Sequence, residues 1–270
     1  MGSATDVYLS ENDPQLVREA FPFNLKTIEM LVQQSPDNPD LLTAAASGFA
    51  LYSYAFILED AERMAVKNIN LSRPIFKRAR QLFERSRDYG LRALEANHTG
   101  FIKQFEKDPT TAVNVLTGKD ISAIYWTAAS IAGAVTASQG DPVLLIDLPK
   151  VGYLFEKALE LNPNWNDGAL YSAMMKYELS RPDASAQSTE IARGYYQKAL
   201  ELSGGMDCSL YVSYAEAFSV SNQNREEFTT YINYALDVDV DAVPQKRLAN
   251  ILAQDRAHWL LQRIDDLFYY

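Results

Sequence analysis

Phe155-Glu156-Lys157-Ala158-Leu159-Glu160-Leu161 is written again 41 residues on, as Tyr196-Gln197-Lys198-Ala199-Leu200-Glu201-Leu202. An aromatic, then Ala-Leu three residues later, then an acid and a leucine suits the second helix of a repeated helical hairpin. The aromatic and the leucines fill the seam between stacked hairpins, and the alanine lets two helix backbones approach closely. Such repeats build extended binding surfaces more often than catalytic clefts. The first question about this chain is therefore what it holds.

Two weaker copies surround the pair. Tyr231-Ile232-Asn233-Tyr234-Ala235-Leu236-Asp237-Val238 is one, and Tyr89-Gly90-Leu91-Arg92-Ala93-Leu94-Glu95 is the other. Their alanines, Ala93, Ala158, Ala199 and Ala235, lie 65, 41 and 36 residues apart. The phrase resembles the second helix of a tetratricopeptide repeat, in which Ala, aromatic, Ala and Pro recur at fixed offsets. Ala192, Tyr196 and Ala199 match the first three of those positions; Phe155, Ala158 and Pro163 match the last three. The spacing exceeds the usual repeat of roughly 34 residues, so the repeats are divergent. The expected fold is all-α: an array of antiparallel helix hairpins, a divergent tetratricopeptide-like superhelix, with no strand. Residues 11–270 read as one such domain. Residues 1–10 read as a flexible arm, in which Met1-Gly2-Ser3 is a cloning scar ahead of a mature start near Ala4.

Composition narrows the class. The 270 residues are 47% hydrophobic and 22% charged, enough for a sizeable core. The net charge of -10 repels phosphate backbones, which argues against nucleic acid as a partner. Cys208 is the single cysteine, so no intrachain disulfide is possible, and a lone thiol of this kind reads as buried.

Helix punctuation is dense. Asp13-Pro14 opens a helix with proline in its first turn, Pro22 reads as an early kink or break, and Leu25, Ile28, Leu31 and Val32 follow on one face. The turn Ser35-Pro36-Asp37-Asn38-Pro39 leads into Leu41–Leu58, a run without charge, and a second such run spans Ile121–Gly140. Both approach membrane-spanning length. They are rich in Ala, Ser, Thr and Gly rather than Leu, Ile and Val, which points to helices at the centre of a stack. Between them, Arg73–Leu94 is amphipathic: Phe76, Ala79, Phe83, Ser86, Gly90 and Ala93 form one stripe. A loop-rich segment with a short helix covers Thr99–Lys119. Further helices are expected near Pro149–Leu161, Asp167–Leu179, Thr189–Ser203, Ser209–Ser221, Arg225–Asp237 and Pro244–Phe268, with Gly204-Gly205 ending one of them.

The chemistry a catalyst needs is missing. His98, His258 and Cys208 cannot build a zinc site, and no nucleophile elbow, phosphate loop or dinucleotide fingerprint is present. No cofactor and no metal are expected, and the chain reads as a non-enzyme. His98 reads as a surface residue at a helix end, and His258 as a packed or rim residue. Glu216 interrupts the uncharged stretch Leu210–Phe218, and a carboxylate there requires a partner. It reads either as half of a structural ion pair or as a polar handle for a ligand, and Arg256 carries the same two readings. Tyr52, Tyr54, Tyr125 and Trp126 lie inside the uncharged runs. They are ligand candidates if those helices line a concavity, and core aromatics otherwise. The outer faces of Arg73–Leu94 carry seven cations against Glu84 and Asp88. Lys77, Arg78, Arg85 and Arg92 are the candidates there for an acidic partner, against the plainer reading of a solvated face.

Several longer strings together resemble one family. LVREAFPFNLKTIEML, LLTAAASGFALYSYAF and RDYGLRALE come first, then DISAIYWTAASIAG and LPKVGYLFEKALELNPNW. KALELSGG, YAEAFSVSNQNREEF and RLANILAQDRAHWLL complete the order. From about Glu11 to Phe268 they are similar to the T component of tripartite ATP-independent periplasmic (TRAP) transporters. The resemblance implies a periplasmic, lipid-anchored, all-helical accessory protein with cryptic tetratricopeptide repeats. It implies association with the transporter's solute-binding (P) component and assistance to a hydrophobic or organic-acid solute, without catalysis. The alternative is a stand-alone ligand carrier with an apolar pocket or an inter-subunit channel. No acylated cysteine precedes Ala4 in this sequence, and Cys208 lies mid-chain, so the membrane anchor is implied by resemblance alone. Faces rich in Ala, Gly and Ser suggest self-association, with a trimer as the expected state.

Overall fold

The computed structural model describes residues 4–269, so the Met1-Gly2-Ser3 scar lies outside the described residues. In chain order the helices are α1 (Ala4–Leu9), α2 (Pro14–Gln34), α3 (Pro39–Tyr52), α4 (Glu59–Lys67), α5 (Ile69–Asn97), α6 (Phe101–Lys107), α7 (Pro109–Ala112) and α8 (Ile121–Ala137). They continue as α9 (Pro142–Leu145), α10 (Leu148–Leu161), α11 (Ala169–Ser180), α12 (Ala186–Ser203), α13 (Cys208–Tyr214), α14 (Arg225–Asp237), α15 (Arg247–Gln262) and α16 (Ile264–Leu267). π-helical turns fill Ser53–Leu58, between α3 and α4, and Ala215–Ser219, after α13. Among the described residues there is no strand. The fold is all-α.

Local chemistry accounts for most of the boundaries. Asp13 accepts from the backbone N–H groups of Gln15 and Leu16 at 3.0 and 3.1 Å, which starts α2 where Asp-Pro was expected to. Asn38, Asn68, Asp207 and Asn224 cap α3, α5, α13 and α14 in the same way. Gly204 ends α12 at φ +60°, a conformation that favours glycine. Pro22 does not break α2, which runs through it. Leu31 departs from its expected face and is exposed. Adjacent helical residues point about 100° apart, and Val32 takes the inward direction. Helix α1 lies inside the segment read as an arm and packs near α15.

The contacts divide the chain into two compact units. The larger holds Ala20–Trp165 and Ser180–Ala184; the smaller holds the described residues up to Glu19, Asn166–Leu179, and the described residues from Ser185 on.

In the larger unit α5 is packed by α3 and α8. The stripe read from the sequence is the buried one: Phe76, Ala79, Phe83, Ser86, Gly90 and Ala93 all face inward. Small residues are what this layer requires. Ser86 Oγ donates to the Ala46 carbonyl of α3 at 2.5 Å and lies 2.6 Å from Ser130 Oγ of α8. A Cβ on Gly90 would collide with Thr127, and one on Gly133 would meet the Phe83 ring. The two uncharged runs are therefore interior helices. The continuous run Pro39–Lys67 is long and apolar enough to cross a membrane, yet 61% of its most apolar window is buried inside the protein.

The smaller unit has two adjoining clusters. In one, Cys208 and Val212 of α13 meet Phe228, Ile232 and Ala235 of α14, and Ala253, Ala257 and Leu260 of α15. In the other, Met175 of α11 packs on Ala192, Tyr196 and Ala199 of α12 and on Leu210, Tyr214 and Phe218. The repeated phrase thus places its aromatic, Tyr196, and its alanine, Ala199, in a helix seam.

Candidate functional site

An α-helix carries one carbonyl-to-amide step of four residues; a π turn inserts one residue and re-aims the side chains around it. Ala215–Ser219 is such a turn, with the Val220 N–H donating to the Ala215 carbonyl at 3.1 Å. Its polar side chains serve two different groups of neighbours.

Toward α15, Glu216 accepts a two-point fork from Arg256: Nε to Oε2 at 2.9 Å and Nη2 to Oε1 at 2.7 Å. Both side chains are partly exposed, at 31% and 24%. The guanidinium carbons of Arg256 and Arg263 lie 5.6 and 4.8 Å from the Trp259 ring centroid. The two residues singled out in the sequence for an unexplained charge are thus each other's partner.

Toward α12 and α14 the turn supports a tyrosine network. Arg193 donates from Nη1 to the Tyr214 hydroxyl, and its guanidinium carbon lies 4.5 Å from the Phe218 ring centroid. Ser219 Oγ donates to Glu227 Oε2 at 2.8 Å. Tyr214 stacks on Tyr231 with centroids 3.8 Å apart and rings 22° from parallel, and lies 4.6 Å from Tyr196. Ring contacts continue from Tyr231 to Tyr234, which is half exposed. Tyr196 sits at the buried end of this chain of rings. It is 3% exposed, and its hydroxyl has no hydrogen-bond partner among the described residues. Burial pushes both the Tyr196 and Tyr231 phenols well above their ordinary range, with the Tyr214 hydrogen bond adding to the shift at Tyr231. Both stay protonated donors at any ordinary pH.

Sequence reasoning passed over this network. Arg193 sits among exposed charges on α12, and nothing in its sequence surroundings sets it apart. The available signals were the high tyrosine count and the aromatic slot of the repeated phrase, which Tyr196 fills.

The remaining candidates lie in the larger unit and separate into buried and exposed groups. Tyr52 is buried, stacked on Phe21 at 5.9 Å and 5.7 Å from Phe56. Tyr54, two residues on and inside the Ser53–Leu58 π turn, is 58% exposed. Tyr125 and Trp126 are half-buried and in edge contact at 5.0 Å. Tyr125 also lies 4.7 Å from Trp165 and 5.8 Å from Phe155, the aromatic of the first repeat copy.

The basic face of α5 divides as well. Arg85 Nε is 3.1 Å from Glu29 Oε1, and Arg92 Nη2 donates to the Pro36 carbonyl at 2.9 Å. Burial raises the Glu29 pKa, but hydrogen bonds from Lys26 and Tyr89 and the charge of Arg85 outweigh it and hold the carboxyl below its ordinary value. Arg85 and Arg92 are thus tied to the body of the unit. Lys77 and Arg78 are exposed and carry no side-chain partner among the described residues. His98 caps α5 and is not free on the surface: its Nε2 is 2.9 Å from Oδ2 of buried Asp120. Among the described residues no group of three or more His, Cys, Asp or Glu side chains is placed to hold a metal ion.

Comparison with known proteins places this arrangement. Residues 10–268 match the family described as TRAP transporter T-component. The chain belongs to that family. A relative in Treponema pallidum (strain Nichols), an uncharacterized protein, is 27% identical over 268 residues, covering 98% of this chain and 83% of its own length. The match spans the same stretch over which the sequence strings were similar to T components, and membership makes the protein a part of a TRAP-type transport system.

Proposed function

We propose that this T component is a non-catalytic periplasmic accessory of its transporter, which docks the solute-binding component through the outer face of α2. The observation that carries the reading is an apolar stripe left uncovered on that helix. Phe23, Met30 and Leu31 are 80%, 60% and 43% exposed. Phe23 and Met30, seven residues apart and so on one face, lie on the side opposite Leu25 and Val32, which are buried, and Leu31 flanks them. Side chains of this size at such exposure mark an interaction surface when they cluster.

Size-exclusion chromatography with light scattering, alone and with the solute-binding protein encoded beside it, tests the reading. A complex of defined stoichiometry is expected, and Phe23→Asp with Met30→Asp should abolish it while leaving the helical signal intact. Separate elution at tens of micromolar, with the wild-type chain, would sink the docking reading. The same run gives the oligomeric state of the chain alone.

A second reading, that the chain itself carries solute, rests on the Tyr196 hydroxyl. A buried donor with no acceptor among the described residues, at the end of a chain of aromatic rings with Arg193 on its border, suits a small organic acid or an apolar molecule bearing one acceptor. Native mass spectrometry of the purified protein should then show a co-purifying small molecule that is lost in Tyr196→Phe. An empty spectrum for the wild-type protein removes this reading and leaves docking untouched.

A further inference from the structure

The junction of α4 and α5 carries a second uncovered surface, of different chemistry. The eighteen residues from Val66 to Phe83 contain five cations, Lys67, Arg73, Lys77, Arg78 and Arg80, and no carboxylate. In a chain whose acids outnumber its bases by 35 to 25, this is a strong local reversal. Arg80 is spoken for, since it pairs with Glu84 and Asp141 at 2.8 and 2.9 Å. Lys67, Arg73, Lys77 and Arg78 are exposed, and among the described residues none has a side-chain partner.

Three apolar side chains project from the same place. Val66 in the last turn of α4 is 47% exposed, and Ile69 and Leu71 in the first turn of α5 are 49% and 57% exposed. Asn68 between them turns the chain and caps α5, accepting from the N–H groups of Asn70 and Leu71 at 3.0 and 3.3 Å. The cap fixes the direction of the tip, so Ile69 and Leu71 are presented on an ordered turn. Cations along the flank and aliphatic groups at the end is the division of labour of an interfacial membrane contact. The charges draw the surface to lipid phosphates, and the aliphatic groups enter the boundary below them. A soluble acidic partner would satisfy the charges but gives no reason for three aliphatic side chains at the point of the hairpin.

We infer that the α4–α5 tip seats on an anionic phospholipid bilayer, with Val66, Ile69 and Leu71 entering the headgroup boundary and Lys67, Arg73, Lys77 and Arg78 meeting phosphates. The contact is weak and salt-sensitive, because exposed charges act only within a Debye length of about 8–10 Å at physiological salt. Each cation removed is expected to lower partitioning roughly five-fold.

Co-sedimentation of the full chain with vesicles of phosphatidylglycerol mixed into phosphatidylcholine, against phosphatidylcholine alone, tests this. Binding is expected only to the mixed vesicles, falling as salt is raised. Lys77→Glu with Arg78→Glu should reduce it by more than ten-fold. Ile69→Ser with Leu71→Ser should weaken it and leave its salt dependence in place. Lys103→Glu, an exposed cation elsewhere, should leave it unchanged. All these positions are on the surface, and thermal melts of each variant confirm that the fold is retained. No binding of the wild-type chain to mixed vesicles overturns the inference, as does equal loss in Lys103→Glu, which would mean charge attraction without a site. Loss of solute-binding-protein association in the Lys77/Arg78 variant, with vesicle binding intact, overturns it in favour of a protein partner.

Discussion

Arg256 reaches Glu216 across 40 residues of chain and grips both carboxylate oxygens at once, at 2.7 and 2.9 Å. The fork joins α15 to the π turn that follows α13. Because both groups are about a quarter to a third exposed, water screens the pair, and its worth lies in geometry more than in raw attraction. Glu216→Ala should lower unfolding free energy by about 1 kcal/mol, measured by urea titration. Arg256→Ala should cost a similar amount, and the double variant little more than either. Additive losses would show that the two side chains act independently.

Two glycines on helices should respond in opposite directions. Gly90 faces α8 so closely that a methyl group would press on Thr127, whose Cα and Cβ are both 3.2 Å from the position it would take. Gly90→Ala is expected to destabilise by about 1–3 kcal/mol. Gly194 on α12 is exposed with nothing within 4 Å of such a methyl. Gly194→Ala should stabilise by about 0.5–1 kcal/mol through helix propensity. Thermal melts of the two variants, one shifted down and the other up, are the check.

Asp120 predicts an acid limb. Burial alone would raise its pKa. Hydrogen bonds from His98, from the backbone and side chain of Thr117, and from Asn97 more than offset that and hold it below the ordinary carboxylate value. A carboxyl depressed in the native state stabilises the fold above its unfolded pKa of about 3.9 and loses that contribution as pH falls through the lower native value. The stability of the parent chain should therefore decline below about pH 4. Asp120→Asn should be less stable at neutral pH and show a shallower decline. Identical acid limbs in the two proteins would show that Asp120 is not the group responsible.

Cys208 should be silent to thiol reagents. It is fully buried, its N–H donates to Asn250 Oδ1 at 3.0 Å, and burial pushes its thiol up to about 12. Thiolate, the reactive form, is then nearly absent at neutral pH. Labelling with an aromatic disulfide should proceed at the rate of unfolding and accelerate sharply in denaturant. Rapid stoichiometric labelling of the native protein would contradict this burial.

Much of the scaffold was legible because it obeys one period. The buried stripe of α5, the interior placement of the uncharged runs, the stop at Gly204 and the burial of Cys208 each follow from local spacing or composition. Glu216 and Arg256 were legible as charges in the wrong surroundings, and their pairing supplies the reason. The division of the basic face was not. Whether Arg85 and Arg92 point to solvent or to Glu29 and Pro36 depends on a helix, α2, and the turn after it, more than fifty residues away in sequence. Helix α1 escaped because six residues carry too little periodicity to register. The tyrosine network escaped because its members come from α12, α13 and α14, and nothing within any one of those helices marks them as neighbours.

The Ala215–Ser219 π turn has a further consequence. One surplus residue in a helix acts as a phase shifter: everything beyond it is rotated by about 100° relative to an uninterrupted α-helix. Glu216 keeps step with the residues that face α15, while Phe218 and Ser219 keep step with those that face α12 and α14. A chain lacking that one residue could satisfy the Arg256 fork or the Glu227 hydrogen bond, but the two demands would fall out of phase. The surplus residue is thus a frame-setting element. Single-residue deletions here should be far more damaging than any substitution at the same positions.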